Sequence, residues 1–117
     1  MRNFKYAEFD SPDEKGSGKK MDKGLLKMLD QARDLYGSPM TITSGYRTEE
    51  HNEKVGGKKH SSHLKGLAAD IACDNSTDRY NLIDSLMKVG FNRIGIADTF
   101  IHVDIDLDKA PFVIWTY

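Results

Sequence analysis

The six residues IHVDID, at positions 101–106, alternate strictly between apolar and polar side chains. A period of two does not suit a helix and predicts an extended strand with one apolar and one polar face. The polar side chains of this strand are His102, Asp104 and Asp106. The chain is therefore expected to build a sheet with an imidazole and carboxylates side by side on one face.

The other patterns predict helices packed against that sheet. Apolar residues recur at intervals of three and four along two segments, 22–36 and 76–89, each followed by a glycine. The second of these helices is expected to be capped by Ser76 or Thr77. A short helix is predicted at 48–55, and further strands are predicted at 40–43, 67–73, 93–97 and 112–117. The expected fold is α+β, with helices packed on one mostly antiparallel sheet.

Length and composition limit the organisation of the chain. With 117 residues it fits one domain, 1–117, with one modest core. The polar, glycine-containing stretch 13–20 predicts a flexible surface loop. The single cysteine, Cys73, excludes an internal disulfide.

Charge and hydropathy limit the expected partners and the expected location. A net charge of −1 gives no broad attraction to nucleic acid or anionic lipid, so neither is expected as a partner. The N-terminal residues lack the apolar segment of a signal peptide, and no apolar run is long enough to span a membrane. We therefore expect a protein that is made in the cytoplasm without a signal peptide. We also expect it to be a monomer.

The segment LAADIAC, residues 67–73, adds a second carboxylate to the polar face. Alternation places Asp70 beside two alanines, which leave open space, and Gly66 can let the chain fold His63 back toward it. His102 could reach the same point from a neighbouring strand. Two imidazoles and one carboxylate form a three-ligand set for Zn(II), with the fourth position left for water as in catalytic sites. On the residues alone, a His–Asp hydrogen bond explains the same pattern and is the commoner arrangement.

Three ordered motifs carry a resemblance to a known family. SSHLKGLAAD (61–70) fits the pattern S-x-H-x-x-G-x-A-x-D, SGYRTEEHNEKVGG (44–57) precedes it, and FIHVDI (100–105) follows it. Together they resemble the zinc D-Ala-D-Ala carboxypeptidase family, in particular a small branch with an H-V-D ending. The family includes bacterial cell-wall carboxypeptidases, phage L-Ala-D-Glu endopeptidases and vancomycin-resistance dipeptidases, and it shares its fold with the hedgehog signalling domain. The similarity covers roughly residues 40–106.

The resemblance implies roles for individual residues. His63, Asp70 and His102 would bind one Zn(II) ion, and Arg47 would engage the substrate near its scissile carbonyl or terminal carboxylate. Relatives typically carry an acid three residues before the last zinc histidine, where this chain has Thr99. Asp98, one position earlier, is the expected general base, and Asp104 is its competitor. Phe100 replaces a histidine that many relatives carry two positions before the last ligand.

The function implied by the resemblance is zinc-dependent hydrolysis of peptidoglycan stem peptides in cell-wall degradation. The enzyme would be a D-Ala-D-Ala carboxypeptidase or an L-Ala-D-Glu endopeptidase, acting after phage-type lysis or within a virion. A non-catalytic zinc-binding recognition module of the same fold is the alternative. A metal-dependent nuclease is disfavoured because the chain has no basic stripe for phosphates.

Four other residues receive mostly structural predictions. Asn52 is expected to orient the loop that carries Arg47, and His60 to be solvated. Trp115 and Tyr117 are expected to be core and edge residues of the last strand, with a border of the peptide groove as the alternative.

Overall fold

The computed structural model describes residues 1–117 and confirms the predicted α+β architecture. The α-helices are α1 (Lys23–Tyr36), α2 (Glu49–Lys54) and α3 (Ser76–Lys88). The strands are β1 (Ile42–Ser44), β2 (Ala68–Ala72), β3 (Arg93–Ile96), β4 (Phe100–Asp104) and β5 (Val113–Thr116). Three 3₁₀ helices span Tyr6–Phe9, Ser17–Lys20 and Ser62–Lys65. None of the helices combines the length and the apolarity that crossing a bilayer requires.

The two long helices begin and end at local signals. The Asp22 side chain accepts a hydrogen bond from the backbone N–H of Leu25 at the start of α1, and Gly37 ends that helix with a φ of 74°. The cap of α3 is Asn75, and the predicted caps Ser76 and Thr77 are instead the first two helical residues. Asn75 takes the position because its side chain accepts from the backbone N–H of Asp78 at 2.9 Å.

The five strands form one sheet in the order β1-β2-β4-β3-β5. All neighbouring strands are antiparallel except β3 and β5, which are parallel, so the sheet is mostly antiparallel as predicted. The strand register aligns one residue from each strand in a single row across the sheet. In order from β1 to β5, this row is Ser44, Asp70, His102, Gly95 and Trp115.

One apolar core lies between the sheet and the two long helices. It includes Leu25 and Leu29 of α1, Leu82 and Leu86 of α3, and the strand residues Ile71, Ile94, Ile101 and Val103. Because successive strand residues point to opposite faces, the residues between these apolar positions lie on the other side of the sheet. We call that side the site face.

The predicted flexible loop at 13–20 is instead an ordered turn and a 3₁₀ helix. The Asp10 carboxylate accepts hydrogen bonds from the backbone N–H groups of Gly16 and Gly18, at 3.0 and 2.7 Å. Gly18 lies so close to Tyr6 that a Cβ would meet the Tyr6 carbonyl oxygen at 1.9 Å. The prediction was wrong because composition carries no information on these longer-range contacts.

Candidate metal centre

Three predicted ligands meet on the site face. His63 comes from the 3₁₀ helix Ser62–Lys65, Asp70 from β2 and His102 from β4, and all three are buried. His63 Nε2 lies 3.2 Å and His102 Nδ1 lies 2.9 Å from the same oxygen, Asp70 Oδ1. One potential ligand atom from each residue lies within 4.8 Å of the other two.

Local sequence explains why these side chains converge. The Ser61 side chain accepts from the backbone N–H of His63 at the start of the short helix, and Gly66 ends it with a φ of 70°. A Cβ on Gly66 would lie 2.5 Å from the Lys20 carbonyl oxygen, so this left-handed turn also requires a small residue. The turn folds His63 back over β2, as expected. Asp70 and His102 then face each other directly in the β2–β4 register.

The outer ring nitrogens of both histidines have fixed partners. His63 Nδ1 lies 2.7 Å from the Gly45 carbonyl oxygen, which can only accept, so Nδ1 carries the proton. His102 Nε2 lies 2.8 Å from Asp104 Oδ2 and donates to that carboxylate. The inner nitrogens, His63 Nε2 and His102 Nδ1, are left with lone pairs that face a carboxylate oxygen. Three lone-pair atoms that face one another repel unless a cation lies between them. That cation is either an added proton or a metal ion, so this set of ligand atoms fits Zn(II).

Asp104 is an anchored partner of His102. Its Oδ1 accepts from Arg93 Nε at 2.7 Å and from the backbone N–H of Asp106 at 3.2 Å, and Oδ2 accepts from His102. Burial alone would raise the pKa of Asp104, but hydrogen bonds from His102 and Arg93 outweigh it and lower that pKa. Both oxygens of the carboxylate are therefore occupied, which favours an orienting role over that of a free base.

The charges within the cluster support one another. Burial opposes ionisation of Asp70, but hydrogen bonds with His102 and His63 hold its pKa well below the usual range. For His102, burial lowers the pKa, and the carboxylates of Asp104 and Asp70 more than reverse this effect. The site thus keeps its carboxylates ionised and favours positive charge between them.

Arg47 borders the cluster from the β1 side. It donates from Nε to Ser44 Oγ at 3.0 Å and from Nη1 to Asn52 Oδ1 at 3.2 Å. Its Nη2 lies 3.5 Å from Asp70 Oδ2. Asn52 donates from Nδ2 to the Lys58 carbonyl at 2.8 Å, a contact that suits its predicted orienting role. Burial lowers the pKa of Arg47 and Asp70 opposes this effect, and an arginine stays charged in proteins.

The structure does not bring the Asp98 side chain to this cluster. Asp98 is exposed in the tight turn between β3 and β4, and its carboxylate forms no hydrogen bond. Only its backbone carbonyl has a side-chain partner, Arg79 Nη2, at 3.4 Å. Asp98 belongs to the turn before β4, which begins at Phe100. Its predicted role as the general base therefore gains no support from this geometry.

Two residues around the site, Arg93 and Gly95, escaped the sequence reasoning, and Trp115 lies on the site face and not in the core. The Trp115 ring centroid lies 5.5 Å from that of His102, and Arg93 lies over the indole at 5.1 Å. Gly95 separates His102 from Trp115 in the row, and a Cβ there would lie 2.7 Å from the indole. A glycine inside a strand is a known mark of close approach, so RIGI carried a usable signal. His60 is exposed and outside the cluster, as predicted.

Comparison with known proteins agrees with this geometry. The family model for Peptidase M15 matches residues 2–104, which is most of the chain and includes Arg47 and the three clustered residues. The chain belongs to the Peptidase M15 family. Membership in Peptidase M15 supports a zinc-dependent metallopeptidase with peptide substrates. No curated protein matches the chain significantly. The Peptidase M15 match ends at Asp104, so β5 lies outside it.

Proposed function

We propose that the protein is a zinc-dependent peptidase that hydrolyses peptide bonds of peptidoglycan stem peptides. The candidate bonds are the D-Ala-D-Ala terminus and the L-Ala-D-Glu link. The observation that carries the proposal is the set of three converging acceptor atoms of His63, Asp70 and His102, in a chain of the Peptidase M15 family. Peptidoglycan lies outside the cytoplasm, so the proposal includes delivery to the wall by phage-type lysis or within a virion.

His63, Asp70 and His102 would hold the Zn(II) ion. When bound, the ion would lower the pKa of a coordinated water toward about 7 and polarise a peptide carbonyl. The Gly45 carbonyl and the Asp104 carboxylate fix the tautomers of the two histidines, so both rings present lone pairs without rearrangement. Preset ligands reduce the cost of ordering the site when metal binds.

Arg47 would bind negative charge on the substrate. Its guanidinium is held by Ser44 and Asn52, and its Nη2 is the group that points to Asp70. A terminal carboxylate of a stem peptide, or the oxygen of the scissile carbonyl as it gains charge, would find a fixed donor there. If Arg47 binds the terminal carboxylate of the substrate, the carboxypeptidase reaction is favoured over the endopeptidase reaction.

We propose one of two carboxylates, Asp98 or Asp104, as the general base, although the geometry weighs against both. Asp104 has its oxygens occupied by His102, Arg93 and the Asp106 N–H. Asp98 would have to approach the cluster when substrate binds. We expect Asp98→Asn to retain kcat within about threefold, since loss of a general base in contact with the reaction typically costs roughly 10²–10⁴-fold. A larger loss in steady-state kinetics would restore Asp98 as the base.

The test of the proposal combines metal analysis with digestion of peptidoglycan. We expect one equivalent of zinc in the purified protein, release of wall peptides that stops after chelation, and peptide masses that identify the bond. Asp70→Asn should lose both the metal and the cleavage. Asp74→Asn, the same change at an exposed position just past β2, should keep both.

A non-catalytic zinc-binding recognition module remains the second candidate. The observation in its favour is that both oxygens of Asp70 and both oxygens of Asp104 already have partners, so neither carboxylate is free to act as a base. If the protein holds one equivalent of zinc but cleaves no wall peptide, the recognition module is the better conclusion and the peptidase is rejected. A protein without metal would contradict both functions.

A further inference from the structure

The ring of Tyr117 lies over Gly95, which is the register neighbour of His102 on the β5 side of the site face. The backbone N–H of Tyr117 donates to the Ile96 carbonyl at 3.1 Å, which continues the β3–β5 pairing by one residue. Its ring packs edge-on against Phe100, with centroids 5.3 Å apart and planes at 64°. Its Cε1 lies 2.8 Å from the place where a Cβ on Gly95 would be. Although Tyr117 is 70% exposed, these three contacts give the ring a defined position over Gly95.

Arg47 and Tyr117 stand on opposite flanks of the cluster. Arg47 is anchored at Ser44, at one end of the row across the sheet, and Tyr117 lies beside Trp115 at the other end. Partial burial and the negative charge of Asp70 raise the pKa of Tyr117, while the Trp115 side chain and Arg47 oppose this rise. With a raised pKa, the phenol stays protonated at neutral pH and can act as a hydrogen-bond donor.

The neighbouring residues leave a place for such a donor. Phe100 precedes His102 by two positions on the site face, and its ring has no polar atom. Neither nitrogen of His102 is free to donate to a substrate, because Nε2 donates to Asp104 and Nδ1 would bind the zinc ion. A substrate carbonyl that enters over Asp70 would thus meet the guanidinium of Arg47 on one side and the hydroxyl of Tyr117 on the other.

We propose that Tyr117 is a catalytic residue whose O–H donates a hydrogen bond to the oxygen of the scissile carbonyl as that oxygen becomes negatively charged. The inference rests on the proposed peptidase function. The proton stays on the phenol oxygen, and no bond to Tyr117 forms or breaks. A donor that gains strength as charge develops accelerates the reaction without tightening substrate binding. Tyr117 lies beyond Asp104, where the family match ends.

The test compares Tyr117→Phe with Tyr80→Phe, which is the same change at a position 75% exposed on α3. Kinetics are measured on the wall peptide that the wild type cleaves. We expect kcat of Tyr117→Phe to fall about 10²- to 10³-fold, as for removal of a single oxyanion donor, with KM within about threefold. Zinc content should be unchanged. Tyr80→Phe should match the wild type in both constants.

A second measurement separates this inference from the proposed function. A phosphinic peptide mimics the tetrahedral geometry and the negative oxygen of the transition state, and its affinity can be measured by calorimetry without turnover. Its Kd should rise for Tyr117→Phe by the factor by which kcat falls, whereas the Kd of an uncleaved peptide should not change. If the wild type cleaves no wall peptide, the proposed function fails and the phosphinate comparison alone decides on Tyr117. Equal phosphinate affinity of Tyr117→Phe and wild type overturns the inference in either case, as does an unchanged kcat.

Discussion

Asp106 is almost inaccessible to solvent and is nevertheless ionised. Ser62 Oγ donates to it at 2.7 Å, and Lys65 Nζ lies 3.1 Å from both of its oxygens. Burial alone would raise its pKa, but these hydrogen bonds lower the pKa from 3.8 to about 2. Because Ser62 opens the short helix that carries His63, the contact ties the metal cluster to the end of β4.

The lowered pKa of Asp106 predicts a stability contribution that depends on pH. A carboxyl with a lower pKa in the folded state stabilises the protein above pH 4, and this contribution is lost as the pH falls toward 2. At pH 7, Asp106→Asn should lower the free energy of unfolding by about 1–3 kcal/mol in urea titrations. The difference from wild type should shrink below pH 4, become small near pH 2 and vanish below pH 2.

Asp108 provides the matched control for that change. It also lies 3.1 Å from Lys65 Nζ, but its side chain is 85% exposed. An exposed ion pair contributes little, so Asp108→Asn should stay within about 0.5 kcal/mol of wild type at every pH. A destabilisation by Asp106→Asn that persists at pH 2 would assign its effect to packing and not to charge.

Asp104 gives a second prediction at the scale of single residues. It holds the Nε2 proton of His102, so Asp104→Ala frees the ring to rotate and to change tautomer. Zinc affinity, measured by competition with a chelating dye, should fall about 10- to 100-fold, which is typical when a partner of a metal ligand is removed. Asp98→Ala should leave the affinity unchanged, because its carboxylate forms no contact with the cluster. Equal affinities for the two variants would contradict the orienting role of Asp104.

At the scale of elements, the turn that leads into β5 carries local strain. Phe112 is the one non-glycine residue with a positive φ, at 59°, and its side chain is 85% exposed. Left-handed geometry costs an L-residue about 1–2 kcal/mol, less for asparagine, and little burial is lost on substitution. Phe112→Asn should therefore raise the free energy of unfolding by about 0.5–1 kcal/mol.

The control for Phe112 is Leu107, which is 97% exposed in the same connection between β4 and β5 and has a negative φ. Leu107→Asn removes a comparable apolar surface without relieving strain, so thermal unfolding should be nearly unchanged. Stabilisation by both variants to the same extent would show that loss of exposed apolar surface is the cause.

The elements also show how far sequence reasoning reached. The helix at 22–36 was predictable because its periodicity, its N-cap and its terminal glycine are encoded locally. The strand at 100–106 was predictable from its alternating pattern. The parallel pairing of β5 with β3 was not predictable, because it depends on where a connection of eight residues, 105–112, crosses the sheet. Tyr117 was therefore expected at an edge, although this pairing brings it over Gly95 beside the cluster. The position of Asp98 was not predictable for a related reason, since it depends on where β4 begins, at Phe100, and the role of Asp98 stays a prediction.

At the scale of the whole molecule, the cluster joins parts of the chain that are distant in sequence. His63 and His102 are 39 positions apart and belong to a 3₁₀ helix and a strand, and both meet Asp70. The arrangement exists only in the folded protein, so zinc should bind the native state far better than the unfolded chain. Metal binding and global stability are then coupled through mass action.

This coupling predicts that zinc raises the Tm of the whole protein. At a free zinc concentration of about 100 times Kd, binding adds about 2.7 kcal/mol to the free energy of unfolding, and chelation removes it. Each variant is scanned by calorimetry once with zinc and once with chelator. In His63→Ala the difference in Tm between these two conditions should mostly disappear, although the Tm with chelator is also lower than that of the wild type. His60→Ala, the same substitution at an exposed position three residues earlier, should keep the full difference. Because each variant is compared with itself, its intrinsic stability cancels. A zinc-dependent shift that is equal in both variants would show that the ion binds outside the cluster.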